Sequence, residues 1–136
     1  MGPEADLIVQ VKKALHQVRA PVYYDGQKHD AKYPQVIIDL SNIQNEPRSY
    51  KGIEETKLTI SVDVYSKIER LDILLDISNQ VRIIMQQVKC THWRSKFDDY
   101  SVRIFVDKSY QGESLKRAAF SFDFTTYGIA IKKGSN

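Results

Sequence analysis

The sequence predicts an α+β fold: a mostly antiparallel mixed sheet of about five strands, with two helices packed on one face. Three patterns indicate it. Residues 57–65 alternate apolar and polar side chains, as a strand with one covered face does. Residues 4–19 and 66–88 repeat apolar side chains at helical spacing. Residues 115–127 place a row of phenylalanines on one face of a further strand. The predicted order is α-β-β-β-α-β-β.

Length and composition indicate a single domain over residues 1–136, with a core over about residues 4–131 and a flexible tail at 132–136. The chain has 136 residues, of which 42% are hydrophobic and 27% charged, which suits one hydrophobic core. The formal net charge of +3 is too small for a dedicated electrostatic nucleic-acid binder. No apolar run approaches the roughly 20 residues that cross a bilayer, so we expect a soluble protein.

The first half of the chain begins with the helix at 4–19, which Pro21 stops. A short strand follows at 22–24 and a longer one at 35–40. Residues 41–55 are polar and include Gly and Pro, so they predict a connection longer than a compact domain needs. Loops of that length are usually functional or mobile.

The second helix is predicted to start at a capping box, Ser66-Lys67-Ile68-Glu69, in which the Ser66 side chain accepts the Glu69 amide hydrogen. Apolar side chains cover more than half of its circumference as far as about Val88. A helix lying on one sheet buries a narrower stripe. The pattern therefore leaves two alternatives open: burial within this fold alone, or an additional contact with a neighbouring subunit.

The last two strands are predicted at 101–106 and 115–127, joined by a polar connection at 107–114. Phe120, Phe122 and Phe124 share one face of the last strand. Aromatic rows stack bases in some RNA-binding sheets, but those sheets carry a neighbouring basic, Gly-rich pattern that is missing here. The row is therefore interpreted as core packing.

No pattern indicates a catalytic, cofactor or metal site. The three histidines lack metal-ligand spacing, and no Gly-rich phosphate loop or nucleophile motif appears. The lone Cys90 has no partner for a disulfide and is expected to be a small buried side chain. The sequence therefore predicts that the chain is not an enzyme and needs no cofactor.

A basic patch follows the second helix, formed by Lys89, His92, Arg94 and Lys96 and interleaved with the aromatic Trp93 and Phe97. Cations close to a helix C-terminus complement its macrodipole, and a tryptophan there covers the end of a core. Cations interleaved with aromatic rings also bind nucleic-acid backbones. The patch is therefore either a helix-end feature or a possible DNA-channel or interface surface.

Taken together, these elements resemble the tail terminator proteins of long-tailed bacteriophages, also called tail completion or tail-to-head joining proteins. The resemblance covers about residues 7–127 and rests on a leading helix, the Tyr33-Pro34 strand, a long loop, an alternating strand that leads into the Ser66-capped helix, and a closing Phe-rich hairpin. It implies a structural ring, usually of six subunits, that caps the completed tail tube and joins it to the head connector.

The resemblance also implies partners and a location. The partners are the tail tube protein, the connector or stopper protein of the head, and further copies of the chain, with DNA passing transiently through the lumen and no membrane contact. The location is the head–tail interface of the virion, after assembly in the bacterial cytoplasm. Subunits that are monomeric before assembly are compatible with such a ring.

We place the ring's contacts in loops, because a rigid sheet presents its loop tips to neighbours. The predicted protein-interface residues are Arg48, Tyr50 and Lys51 in the first long loop and Lys108 and Tyr110 in the second; Tyr and Arg are common interface anchors. The alternative for each residue is a solvated loop without contacts. The alternative function is a free-standing module that binds protein or nucleic acid through its sheet and loops.

Overall fold

The computed structural model describes residues 2–24, 33–45, 54–110 and 113–128. Its elements follow the predicted order and confirm the predicted α+β class. They are α1 (Pro3–Leu15), β1 (Val22–Tyr23), β2 (Gln35–Asn45), β3 (Glu54–Lys67), α2 (Leu71–Met85), β4 (Arg94–Tyr110) and β5 (Glu113–Gly128).

The strands form one five-stranded sheet in the order β1-β2-β3-β5-β4. The short β1 runs parallel to β2, and every other neighbouring pair is antiparallel. The sheet is therefore mixed and mostly antiparallel, as predicted. β4 occupies one edge of the sheet, and β1 with the outer side of β2 forms the other.

The hydrophobic core lies between one face of the sheet and the two helices. The helices contribute Leu7, Val11, Leu15, Leu74, Ile77, Val81 and Met85 to it; the sheet contributes Val36, Ile38, Leu58, Ile60, Val62, Val64, Ala118, Phe120, Phe122 and Phe124. The sheet residues alternate along each strand, so they share the face that we call the helix side; the opposite face is called the open face. The phenylalanine row is thus core packing, as the sequence indicated.

The first helix is shorter than predicted. Pro3 occupies its first turn, where a missing amide hydrogen costs nothing, and the helix ends at Leu15 instead of residue 19. Beyond Leu15 the backbone forms a tighter turn of the 3-10 type, in which the amide hydrogens of His16 and Gln17 are donated to carbonyl oxygens three residues back. Val18 still reaches the core from this turn, which explains why the apolar periodicity outlasts the helix.

The predicted capping box is wrong. Ser66 is a buried residue of β3, its hydroxyl donates to the Lys67 carbonyl oxygen at 3.0 Å, and α2 begins only at Leu71. Pairing of β3 with β5 continues as far as Lys67 and holds Ser66 in the extended conformation. The continuing backbone ladder therefore overrides the local capping signal.

The strands are longer than predicted, at the expense of the loops. β2 and β3 pair as far as Asn45 opposite Thr56, so the connection predicted at 41–55 is shorter, and residues 46–53 lie outside the described residues. β4 begins at Arg94 instead of residue 101 and pairs with β5 as far as Tyr110 opposite Glu113. A register shift between Phe97 and Asp99 interrupts the alternation that would have marked the start of β4.

Candidate assembly surfaces

The predicted loop contacts have two outcomes. Arg48, Tyr50 and Lys51 lie outside the described residues, so their assignment stays a prediction. Lys108 and Tyr110 belong to the end of β4 and not to a loop, because β4 pairs with β5 as far as Tyr110 opposite Glu113, with a register shift between Asp107 and Tyr110; their role as interface residues stays a prediction. Lys108 is exposed near the end of this strand.

The basic patch is split between two surfaces. Arg94 and Lys96 are exposed alternate residues at the start of β4 and share the open face. Lys89 follows α2 and lines a shallow depression on the helix side together with Gln10 and Lys13. The structure therefore brings Arg94 and Lys96 together and separates Lys89 from them.

Lys96 also lines a cavity of about 610 Å³ on the open face. The lining residues are Asn42, Gln44, Glu55, Lys57, Thr59, Lys96, Asp98, Asp123, Thr125 and Tyr127. Lys96 is paired within this lining, since its Nζ lies 3.5 Å from the Asp98 Oδ1, and Asp123 accepts a hydrogen bond from the Thr59 hydroxyl at 2.7 Å. Two lysines and three carboxylates do not form the cationic surface that a phosphate backbone requires.

A row of apolar side chains is exposed along the edge strand β4. Val102, Ile104 and Val106 have 39%, 45% and 38% of their surface exposed. They lie on the helix side, because Val102 pairs with Phe120 and Ile104 with Ala118. In the described part of the fold, α1 packs on β2 and α2 packs on β3 and β5, so β4 extends past the helices.

The first part of α2 also exposes apolar side chains on the flank that lies towards β4. The Arg19 backbone amide, which follows α1, donates to the Gln80 Oε1 at 3.4 Å, so the flank of α2 that carries Gln80 lies towards α1. At 100° per residue, Leu71 and Leu75 lie on the β4 side of the helix, and they are 44% and 47% exposed. We call Leu71, Leu75, Val102, Ile104 and Val106 together the apolar step.

The other edge of the sheet is also open. β1 pairs with only two residues of β2, Val36 and Ile37, so within the described residues the outer side of β2 has no strand beside it from Ile38 to Asn45. Ile43 is 50% exposed on this stretch. It pairs with the core residue Leu58, which places it on the helix side.

An ion-pair cluster on the open face ties together β3, β4 and β5. The Arg117 guanidinium lies 3.0 Å from the Asp63 Oδ1 and 2.9 Å from the Asp107 Oδ2. Its central carbon, Cζ, also lies over the rings of Tyr65 and Phe105 in cation–π contacts. Burial raises the pKa of Asp63, while Arg117 opposes that rise. The cluster leaves no local signal in the sequence, because residues 63–65 are separated from residues 105–117 by α2 and most of β4.

A second buried carboxylate anchors α1 to the segment that leads into β4. Asp6 is 1% exposed and accepts the backbone amide hydrogens of Thr91, His92 and Trp93 at 3.1, 2.6 and 3.1 Å. Nothing in the sequence marks this acid, since Glu4 in the same helical turn is chemically similar. The contact positions the chain that enters the edge strand.

Cys90 lies next to this anchor and packs against the core, partly buried. Burial raises the pKa of its thiol to about 11, and the Asp6 carboxylate adds to the rise. The thiol is therefore protonated at neutral pH, as expected for a packing residue and not for a nucleophile.

The described residues contain no group of three or more histidine, cysteine, aspartate or glutamate side chains arranged to hold a metal ion. Neither α1 nor α2 is long and apolar enough to cross a membrane.

The comparisons with known proteins establish a shared fold. No protein-family model matches this sequence, and no curated protein matches it. A chain in the structure titled "Virion of native gene transfer agent (GTA) particle" has a similar structure, with a TM-score of 0.65. The two chains are 12% identical, and the similarity covers 92% of this chain and 97% of that chain. At this level of identity, the comparison shows that the chain has the same fold as a protein of that virion.

Proposed function

We propose that this chain is a structural protein of a phage-type virion, which caps the completed tail tube as a ring and joins the tail to the head connector. The observation that carries the proposal is the fold similarity to a chain of a gene transfer agent virion, which extends over nearly the whole of both chains. The resemblance of the sequence to tail terminator proteins supports the more specific role at the tail tube.

The two edges of the sheet, in the part of the chain that the structure describes, are compatible with a ring. The β4 edge and the β2 edge are different surfaces, so contacts between copies that use both are head-to-tail. Head-to-tail contacts form a ring when the rotation between neighbours closes. A ring of six subunits would have a lumen for DNA, with the tail tube protein bound on one side and the head connector on the other.

In this proposal the chain catalyses no reaction and acts only through binding. It blocks further growth of the tube by occupying the growing end, and the loop with Arg48, Tyr50 and Lys51 contributes contacts to its partners. The protein would assemble in the bacterial cytoplasm and remain in the virion at the head–tail interface.

Electron microscopy of tail tubes tests the proposal. Tubes assembled without this protein are imaged before and after addition of the purified chain. We expect a ring at one end of each tube and an arrest of elongation. Tubes that stay bare and continue to elongate would refute the terminator role. Saturable binding of the monomer to single-stranded or duplex DNA, measured at low and physiological salt, would then favour the free-standing nucleic-acid-binding module.

Charge reversal tests the predicted loop contacts. Arg48→Glu and Lys51→Glu should leave the fold intact but reduce the yield of infectious particles, because they alter only a connecting segment that we assign to partner binding. Lys67→Glu, at the exposed last residue of β3, is the matched control and should have a normal yield. A normal yield from the two loop variants would contradict the loop assignment.

A further inference from the structure

We propose that the outer edge of β4 in one copy binds the outer edge of β2 in the next copy, so that the sheet continues from subunit to subunit. This inference rests on the proposed function in taking the partner to be a second copy of the chain. It adds which two surfaces meet, and the contact can be tested in the absence of phage tails.

The β4 edge has the properties of a strand that receives a partner. β4 is 17 residues long, lies at the edge of the sheet, and exposes Val102, Ile104 and Val106 in a row. Long edge strands of this kind offer unpaired backbone groups and pair readily with another chain. Leu71 and Leu75 lie on the flank of α2 towards this edge, so a neighbour placed there would also extend towards them.

The strand directions fit a second copy. β2 is antiparallel to β3, β3 to β5 and β5 to β4, so β4 runs antiparallel to β2 within one subunit. If the sheets of two copies continue with their helices on the same side, β4 of the first copy is antiparallel to β2 of the second. The antiparallel alternation of β2, β3, β5 and β4 would therefore be unbroken across the contact.

The side chains at the two edges also match, face by face. On the helix side, Ile43 of β2 is exposed, as are Val102 and Ile104 of β4. On the open face, β2 carries the exposed Asp39 and β4 the exposed Arg103. A continuous sheet would place apolar residues of both copies on one face and opposite charges on the other.

The size of the contact indicates weak pairing between two isolated copies. The open part of β2 spans eight residues, or about 26 Å at 3.3 Å per residue. Multiplied by a sheet thickness of about 10 Å, this gives on the order of 260 Å² per partner before the apolar step is added, against about 800 Å² in a standard stable interface. We therefore expect free copies to associate only at high concentration, with a dissociation constant approaching about 1 mM.

Three isoleucine variants test the contact by sedimentation velocity over a concentration series up to about 1 mM. Ile104→Lys alters the β4 edge and Ile43→Lys the β2 edge. Each should raise the dissociation constant at least about tenfold, because it places a charge in the apolar part of the contact. The matched control is Ile83→Lys on α2, since Ile83 is 46% exposed and outside both edges. It should associate like the unaltered chain. Circular dichroism checks that all three variants fold.

Mixing the two edge variants tests whether the contact is head-to-tail. The Ile104→Lys chain keeps an intact β2 edge, and the Ile43→Lys chain keeps an intact β4 edge. The mixture should therefore form dimers that neither variant forms alone, and nothing larger than a dimer.

Several results would overturn the inference. They are a wild-type chain that stays monomeric throughout the series, an Ile43→Lys variant that associates normally, and a mixture that remains monomeric. These outcomes are separate from those of the proposed function. Capped tails with no effect of the edge variants would refute only the edge contact, whereas edge-dependent association with bare tails would refute only the tail-capping role.

Discussion

Replacement of Asp6 by asparagine tests whether one buried carboxylate fixes the entry into the edge strand. Both Asp6 oxygens are used: Oδ1 accepts the amide hydrogen of Thr91, and Oδ2 accepts those of His92 and Trp93. Asparagine has the same shape but only one acceptor oxygen. At least one of the three donors would therefore face the NH2 group of the new side chain.

The expected loss of stability follows from these contacts. A hydrogen bond to a charged group contributes about 1.5–3 kcal/mol, and a buried donor left without an acceptor costs about 1–3 kcal/mol. The losses overlap, so we expect Asp6→Asn to lower the free energy of unfolding by about 2–3 kcal/mol and Asp6→Ala by about 3–4 kcal/mol. At roughly 4 °C per kcal/mol for a domain of this size, Asp6→Asn should lower Tm by about 10 °C.

Urea denaturation at pH 7, followed by circular dichroism, measures this difference. Glu4→Gln is the matched control, because Glu4 lies in the same first turn of α1 and its replacement removes the same charge from the helix N-terminus. That dipole effect is only about 0.3–1 kcal/mol. An Asp6→Asn variant as stable as Glu4→Gln would show that the three hydrogen bonds contribute no more than the helix dipole, and the reasoning would fail.

Two other groups give further predictions. Arg117→Met should lower the free energy of unfolding by about 2–4 kcal/mol in urea denaturation, because it removes the cation that contacts the largely buried carboxylates of Asp63 and Asp107; an unchanged stability would contradict this. The deficit should shrink as the pH falls towards the ordinary carboxyl pKa, since the removal of Arg117 raises the pKa of Asp63 further and protonation then removes the Asp63 charge. Iodoacetamide should modify Cys90 at pH 8 about 100-fold more slowly in the folded chain than in urea, because its folded pKa is about 11; equal rates would refute the burial argument. Because that folded pKa is raised, the thiol should also stabilise the fold less as the pH rises from about 9 to about 11.

Much of the fold could be predicted because its strongest signals are periodic. Alternation in β3, the phenylalanine row of β5 and the helical spacing in α1 and α2 all arise from one buried face, which the sequence pattern reports directly. The element boundaries were less predictable. Ser66 and the start of β4 at Arg94 are held by pairing with β5, and such pairing leaves no local signature.

The candidate surfaces were harder to predict than the core. The excess of apolar residues on α2 left open whether this helix makes a contact beyond the fold, and Leu71 and Leu75 are exposed in the structure. The sequence favoured loops as the contact regions, whereas the described structure exposes apolar side chains along two strand edges. Edge position depends on the order of strands in the sheet, and neighbours in that order, such as β3 and β5, are separated in the chain by α2 and β4.

The sequence by itself determined the fold class, the order of the elements and the identity of the core face, because burial of one face of a helix or strand requires apolar residues at a regular spacing along the chain. The tertiary structure alone decided which strands lie at the edges, why Val102, Ile104 and Val106 stay exposed, and how Asp6 and Arg117 find their partners. Those features depend on contacts between residues that are distant in the chain, and no local sequence pattern predicts such contacts.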